Sequence, residues 1–190
     1  MTARGRKRLF ALNGFSLLLG FCCTFFPPSS FSNQRYTELD LKTAYIFNFM
    51  KFVEWPQEKS QRLSQINICA YSGDPMLPFL KKLEFEQVRN LKIVTQVYDS
   101  VADINRCQLI YLDVISADKR AEILEAIRDK PILSIGNEGR YRDDGEMITF
   151  FSDKNRLRFA INYHQTQQSG LQVSSRLLRL ARVNEPPHDD

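Results

Sequence analysis

The sequence predicts an α/β protein, a three-layer α/β/α sandwich on a mainly parallel sheet with an antiparallel C-terminal extension. Short apolar, β-rich segments alternate with helical segments between residues 66 and 135, and this alternation is typical of parallel sheets covered by helices on both faces. Asp153-Lys154-Asn155 lies at the centre of a short connection between two later strands. Such a short separation predicts a hairpin, and therefore antiparallel pairing.

The first 32 residues have the pattern of a secretory signal peptide. Four basic residues come first, an apolar run from Leu9 to Phe26 follows, and small residues at Ser30 and Ser32 allow cleavage after Ser32. An uncleaved N-terminal anchor is the alternative, because the apolar run is just long enough to span a bilayer. We predict export, one domain over residues 33–184, and a disordered tail over residues 185–190.

Export changes the meaning of the net charge. The chain has 26 Lys and Arg against 22 Asp and Glu. The four basic residues before Asn33 leave with the leader and no acidic residue does, so the remaining chain is neutral. The basic isoelectric point therefore belongs largely to the leader, and no nucleic-acid partner is predicted.

The most apolar segment of the domain, Leu41 to Pro56, predicts a helix that the rest of the chain must cover. Thr37 and Asp40 form a helix-opening capping arrangement, and the proline at the end of the segment limits its length. Apolar residues occupy most of the helix circumference, as in a core helix packed on a sheet. The alternative is that part of the segment, around Phe52 and Trp55, forms an exposed docking surface.

Four parallel strands are predicted after this helix, over residues 66–71, 92–97, 108–112 and 132–135. The segments between them predict a helix opened by Asp74 and Pro75, a short polar turn or helix over 99–106, and a helix from Ser116 to Arg128. The pattern then changes, because strands over 147–151 and 157–162 form the predicted hairpin. A last helix opens near Ser174.

Two cysteines, Cys69 and Cys107, remain after the leader is removed. In an oxidising compartment such a pair suggests one disulfide bond. Chain-entropy arithmetic makes a closed loop of this size worth about 3–4 kcal/mol. Two buried thiols that never meet are the alternative.

Motifs for catalysis or cofactor binding do not occur in the sequence. His164 and His188 have no partner at the spacing of a zinc site. A GxSxG elbow, a GxGxxG loop and a Walker loop are all missing. We therefore predict a protein that is not an enzyme and that has no catalytic residue, metal or cofactor.

Two weaker candidate sites have simpler explanations. The turn from Tyr71 to Pro75 would lie where α/β sheets bind anions, yet a plain strand-to-helix turn with an Asp cap is favoured because nothing else there is basic. Asp143, Asp144 and Glu146 lack the alternate spacing of an EF-hand loop. We expect a solvated loop there.

The order of the segments resembles the YfiR-like family of exported proteins. The resemblance runs from about Tyr36 to Val183, and its most specific parts are FNFMKFVEWP near the start and RFAIN followed by GLQVSSRLLRLA near the end. The residues that match the family pattern are Arg158, Asn162, Gly170, Ser174 and Ser175. Of these, Asn162 and Ser174 would suit backbone capping as well as binding.

The resemblance implies a periplasmic regulator of cyclic-di-GMP signalling with a compact α/β fold and a structural disulfide at Cys69 and Cys107. The family's namesake binds the periplasmic sensing domain of an inner-membrane diguanylate cyclase, usually called YfiN, and holds it inactive; release favours biofilm formation. Members can form homodimers, and some carry a second cysteine pair that this chain lacks. Similar domains occur beside sensor kinases, so a kinase is the alternative partner.

We therefore predict inhibition by binding, with no chemistry in this chain. Aromatic residues and arginines are the usual interface anchors. The candidate partner contacts are Phe52, Trp55, Phe150, Arg158, Arg176 and Arg179. For the arginines of the last helix, a solvated face is the alternative.

Two other functions remain open. One is a periplasmic small-molecule receptor that uses a cleft at the strand carboxyl ends to signal to a sensor kinase. The other is a thiol-redox enzyme, which would require Cys69 or Cys107 to be exposed with a low pKa.

Overall fold

The structure is a computed structural model that describes residues 37–56, 63–113, 115–137 and 145–184. The predicted leader and the predicted tail lie outside the described residues, as do Asp143 and Asp144. Within the described ranges, no helix combines the length and the apolar character that crossing a bilayer would need.

Helices and strands alternate along most of the described chain. The first half contains α1 (Glu38–Phe52), β1 (Val53–Glu54), β2 (Gln65–Tyr71), α2 (Leu77–Lys82), a 3-10 turn (Leu83–Phe85), β3 (Gln87–Val88), β4 (Leu91–Tyr98) and a second 3-10 segment (Val101–Arg106). The second half contains β5 (Leu109–Leu112), α3 (Ala117–Ile127), β6 (Leu133–Asn137), β7 (Ile148–Asp153), β8 (Arg156–Asn162), α4 (Tyr163–Gln168), β9 (Gln172–Val173), α5 (Ser175–Leu178) and β10 (Arg182–Asn184).

Eight of the strands form one sheet in the order β10-β8-β7-β6-β5-β2-β4-β3. The pairs β2–β4, β2–β5, β5–β6, β6–β7 and β8–β10 are parallel, whereas β3–β4 and β7–β8 are antiparallel. Lys154 and Asn155 turn the β7–β8 hairpin with φ angles of 47° and 62°, as the tight hairpin turn requires. The predicted α/β sandwich, its parallel strands and its hairpin are confirmed.

One side of the sheet, called here the aromatic face, packs against α1. The capping box predicted at its start is present: the amide of Asp40 donates to Thr37 Oγ1 at 3.1 Å, and the amide of Thr37 donates to Asp40 Oδ2 at 3.1 Å. Phe49 is fully buried and meets Phe159 of β8 edge-on at 4.9 Å between ring centroids. The prediction of a core helix is confirmed.

The other side, called here the disulfide face, packs against α3 through Ile123 and Ile127. Cys69 of β2 and Cys107, just before β5, form the predicted disulfide with Cα atoms 5.8 Å apart. Their side chains are only 1% and 2% exposed. Burial also raises the pKa of the neighbouring Tyr98 hydroxyl, so this phenol stays neutral.

The last described residues, from α5 to β10, differ from the prediction. The last helix, α5, is only four residues long, because the chain re-enters the sheet as β10 beside β8. Helix α4, the two-stranded β1–β9 pair and strand β3 were not predicted.

The turn after β2 also differs from the prediction. The Asp74 carboxylate accepts from the Met76 amide at 2.7 Å, and α2 begins at Leu77. Asp74 therefore forms a turn ahead of the helix instead of capping it at Pro75.

Candidate partner-binding surface

The two most specific motifs of the sequence meet at the end of α1. Strand β1 pairs antiparallel with β9, which places Val53 opposite Val173 and Glu54 opposite Gln172. The amide of Ser174 donates to the Phe52 carbonyl at 2.9 Å. Sequence segments more than a hundred residues apart therefore build one surface.

Arg89 fixes the end of α1 from the β3–β4 turn. Its guanidinium donates to the carbonyls of Met50 at 2.9 Å, Lys51 at 2.9 Å and Val53 at 3.0 Å. These carbonyls lie where a helix carries partial negative charge, so a cation there is stabilising. Sequence reasoning missed this residue, since a single arginine in a turn forms no pattern.

The surface built at this place is basic and aromatic. The Arg176 guanidinium lies 5.8 Å from the Phe52 ring centroid, and the Lys51 ammonium lies 5.2 Å from that of Phe47. Phe47 and Phe52 are half-buried, whereas Lys51, Arg176 and Arg179 are exposed. We call these five residues the helix-end surface. Exposed cations beside accessible aromatic rings are typical of protein interfaces.

Two of the predicted contact residues have buried side chains, which argues against direct contact with a partner. Trp55 is 0% exposed, and its Nε1 donates to the Gln108 carbonyl at 3.0 Å. Phe150 is 1% exposed and packs 5.7 Å from Phe49 between ring centroids. Strand β1 turns the indole inward, and strand alternation points Phe150 at α1. The residue on the opposite side of that strand is Phe151.

The predicted contacts do not all come together. Arg158 is exposed on β8, where it lies opposite Phe151 in the register. Arg182 of β10 stacks 4.1 Å from the Phe151 ring centroid. These residues belong to the disulfide face, across the sheet from α1. Arg158 is therefore separate from the helix-end surface, to which Phe52, Arg176 and Arg179 belong.

The family-pattern residues have local structural roles. The Asn162 side chain accepts from the Gln165 amide at 3.0 Å and caps α4. The Ser174 side chain accepts from the Leu177 amide at 3.3 Å and caps α5, while Ser175 is exposed in the first turn of α5. Gly170 has a φ of +79°, which side chains rarely adopt. These residues position α5, and with it the helix-end surface.

Glu146, a residue of the weak calcium candidate, is part of a buried ion pair. It is 4% exposed and accepts from the guanidinium of Arg120 on α3, itself 3% exposed. A Cβ atom at Gly136 would lie 2.6 Å from Glu146 Oε1, so this glycine makes room for the carboxylate. Among the described residues, no group of three His, Cys, Asp or Glu side chains could hold a metal ion.

A cleft of about 620 Å³ lies between α3 and α4, beside Ala121 and His164. Several of the polar side chains that line it are bonded to other groups of the protein. The Arg128 guanidinium pairs with Glu125, and the side-chain Nε2 of Gln165 donates to the Arg128 carbonyl at 3.1 Å. This cleft is not at the carboxyl ends of the strands, where the sequence analysis placed a small-molecule site. It also offers few polar groups without a partner for a ligand to bind.

The architecture defines an α/β sandwich with a mainly parallel sheet. A solved structure of a conserved domain protein from Vibrio cholerae O1 biovar El Tor str. N16961 is similar at a TM-score of 0.51 and 12% identity, covering 78% of this chain and 60% of that chain. At this identity the likeness shows the fold alone, and the chain spans 60% of that protein.

The sequence profile of the YfiR/HmsC-like family matches residues 39–182, from the start of α1 to the start of β10. The chain belongs to this family. The family consists of periplasmic regulators of cyclic-di-GMP signalling and is not known for enzymes. The predicted resemblance is confirmed.

Proposed function

We propose that the protein is exported to the periplasm, binds the periplasmic sensing domain of an inner-membrane diguanylate cyclase and lowers cyclic-di-GMP output. The observation that carries this proposal is the family match over residues 39–182. The buried disulfide between Cys69 and Cys107 supports an oxidising compartment. The same burial argues against the thiol-redox alternative, which needs an exposed cysteine.

The mechanism is a population shift without chemistry. A regulator that binds one conformation of the cyclase better than the other shifts the equilibrium by its difference in affinity. A shift from almost fully active to almost fully inactive cyclase requires a preference of roughly 10⁴-fold. We assign contacts with that preference to the helix-end surface, where the Arg176 guanidinium lies over the Phe52 ring and Arg179 is exposed.

The proposal is tested by co-purification from detergent-solubilised inner membranes with the tagged full chain. We expect the wild type to recover a membrane diguanylate cyclase. The double variant Arg176→Glu, Arg179→Glu should lose it and raise cellular cyclic-di-GMP. Lys92→Glu, at an exposed lysine of β4, is the control for a changed surface charge and should behave as the wild type.

Other outcomes would change the proposal. Recovery of a sensor kinase would keep a regulatory function and replace the cyclase as partner. Recovery of no membrane protein would overturn the proposal in favour of a small-molecule receptor, to be tested by thermal shift with a metabolite panel. Homodimer formation, which the family resemblance implies, stays a prediction that sedimentation of the purified chain can test.

A further inference from the structure

Strand β10 forms an outer edge of the eight-stranded sheet. In the described part of the chain it is the last strand in the order, and its only neighbour there is β8. A strand at a sheet edge carries backbone N–H and C=O groups directed away from the sheet, and these can pair with an added strand. The side chains around this edge decide which strand can be added.

The disulfide-face side of this edge is basic. Arg182 lies beside Ala160 in the register. Arg158 precedes Ala160 by two residues on β8, so its side chain is on the same side of the sheet. Arg156 and Arg158 are exposed and make no ion pair with any described residue. On this side of β7, β8 and β10, Asp153 is the only acidic residue among those described. An added strand would therefore meet a positive field here.

The aromatic-face side of the same edge is apolar. Val183 is 39% exposed and lies beside Ile161 in the register. Leu180, just before the strand, is 64% exposed. Apolar side chains on an added strand bury this area, and removing apolar surface from water is favourable. The edge thus differs in chemistry between its two sides.

We propose that the β10 edge binds an extended segment of a partner protein by strand addition, with acidic residues alternating with apolar ones. Side chains alternate between the faces of a strand, so the acidic residues reach Arg182 and Arg158 while the apolar ones cover Val183. A second copy of this chain is disfavoured, because pairing two β10 edges brings arginine-rich surfaces of equal sign together. The inference does not depend on which protein supplies the segment.

The test is fluorescence anisotropy of labelled peptides with the full chain purified from the periplasm. A peptide of alternating Asp and Val should bind, with an affinity that falls as salt is raised. A Lys and Val peptide should bind at least tenfold more weakly. Equal binding of the two peptides, or no binding of the acidic one, would overturn the proposal.

Variants locate the site. Arg182→Glu should weaken binding of the Asp and Val peptide at least tenfold, and Arg158→Glu, which alters no described stack or ion pair, should weaken it as well. Lys92→Glu, near the opposite edge of the sheet, is the matched control and should bind as the wild type. Unchanged binding in both arginine variants would refute the assignment to β10.

Backbone pairing is tested by methylating alternate amide nitrogens of the acidic peptide. Only one of the two alternate sets of amides faces the sheet in an added strand. Methylation of that set should abolish binding, and methylation of the other set should leave it nearly unchanged. Equal effects of the two sets would exclude strand addition.

Discussion

The two edges of the sheet are built differently. At the β3 edge, the Glu84 carboxylate accepts from the Thr95 amide of β4 at 2.8 Å, so a side chain occupies a backbone donor that β3 is too short to reach. At the β10 edge, Val183 and Leu180 are exposed and the nearby charges are arginines. Natural sheets protect an edge from unwanted pairing by covering its free backbone groups, as the Glu84 side chain does for the Thr95 amide. The difference indicates that the β3 edge is closed and the β10 edge is available to a partner.

The largest effect is expected at the centre of the sheet, away from both edges. Replacing both cysteines, Cys69→Ser with Cys107→Ser, should lower the free energy of unfolding by about 4 kcal/mol, because the disulfide closes a loop with a separation of 38 residues. Urea unfolding measures the loss. At urea concentrations where the double variant is still folded, it should bind the peptide at β10 as the wild type does. A loss of binding by the folded double variant would show that the structure of the β10 edge depends on the disulfide.

A smaller loss is expected when the β3–β4 turn is detached from α1. Arg89→Met removes three charge-assisted hydrogen bonds to backbone carbonyls and should lower the free energy of unfolding by about 2–3 kcal/mol. Arg106→Met, at an exposed arginine, is the control and should stay within about 0.5 kcal/mol of the wild type. Equal losses in the two variants would show that the contacts of Arg89 contribute nothing specific.

Removing the side chain that covers the β3 edge should destabilise the fold less than Arg89→Met does. It should also increase association between copies of the protein. Glu84→Ala leaves the Thr95 amide without its carboxylate and should lower the free energy of unfolding by about 1 kcal/mol. It should also raise concentration-dependent association, since the neighbouring Phe85 is 92% exposed. Light scattering at increasing concentration measures this. Glu84→Gln, which keeps an acceptor oxygen, should stay close to the wild type.

The smallest effect concerns pH. Hydrogen bonds from Thr37 hold the pKa of Asp40 below its ordinary value of 3.8. A carboxyl with a lowered folded-state pKa contributes stability above its unfolded-state pKa, and the contribution is lost as the pH falls through the folded-state value. Asp40→Asn should therefore flatten the dependence of the melting temperature on pH below about 4. An unchanged acid slope would contradict this role of the capping box.

The core of the fold could be predicted from the sequence because its signals are local and repeated. Apolar runs mark β2, β5 and β6, and Thr37 with Asp40 marks the start of α1. Strands of two or three residues, such as β1 and β10, are too short to show an alternation of apolar and polar residues. Only their pairing in the folded protein defines them.

The candidate surface could be predicted only in part. Phe150 and Phe151 are adjacent, and the sequence cannot say which of two neighbouring phenylalanines faces the core until the register is known. Trp55 has the residue type of an interface anchor, but β1 turns it inward to Gln108. Phe52 and Arg176 were predicted separately, and their stacking depends on a pairing between β1 and β9 that no local pattern encodes.

The fit between Gly136 and Glu146 has a consequence for how related sequences can diverge. A methyl group at position 136 would collide with the carboxylate that Arg120 holds inside the fold, and removing the carboxylate alone would leave a buried cation without this counter-charge. The three positions should therefore covary. A homologue with alanine at the position of Gly136 is expected to carry a shorter or apolar residue in place of Glu146, together with a neutral residue in place of Arg120.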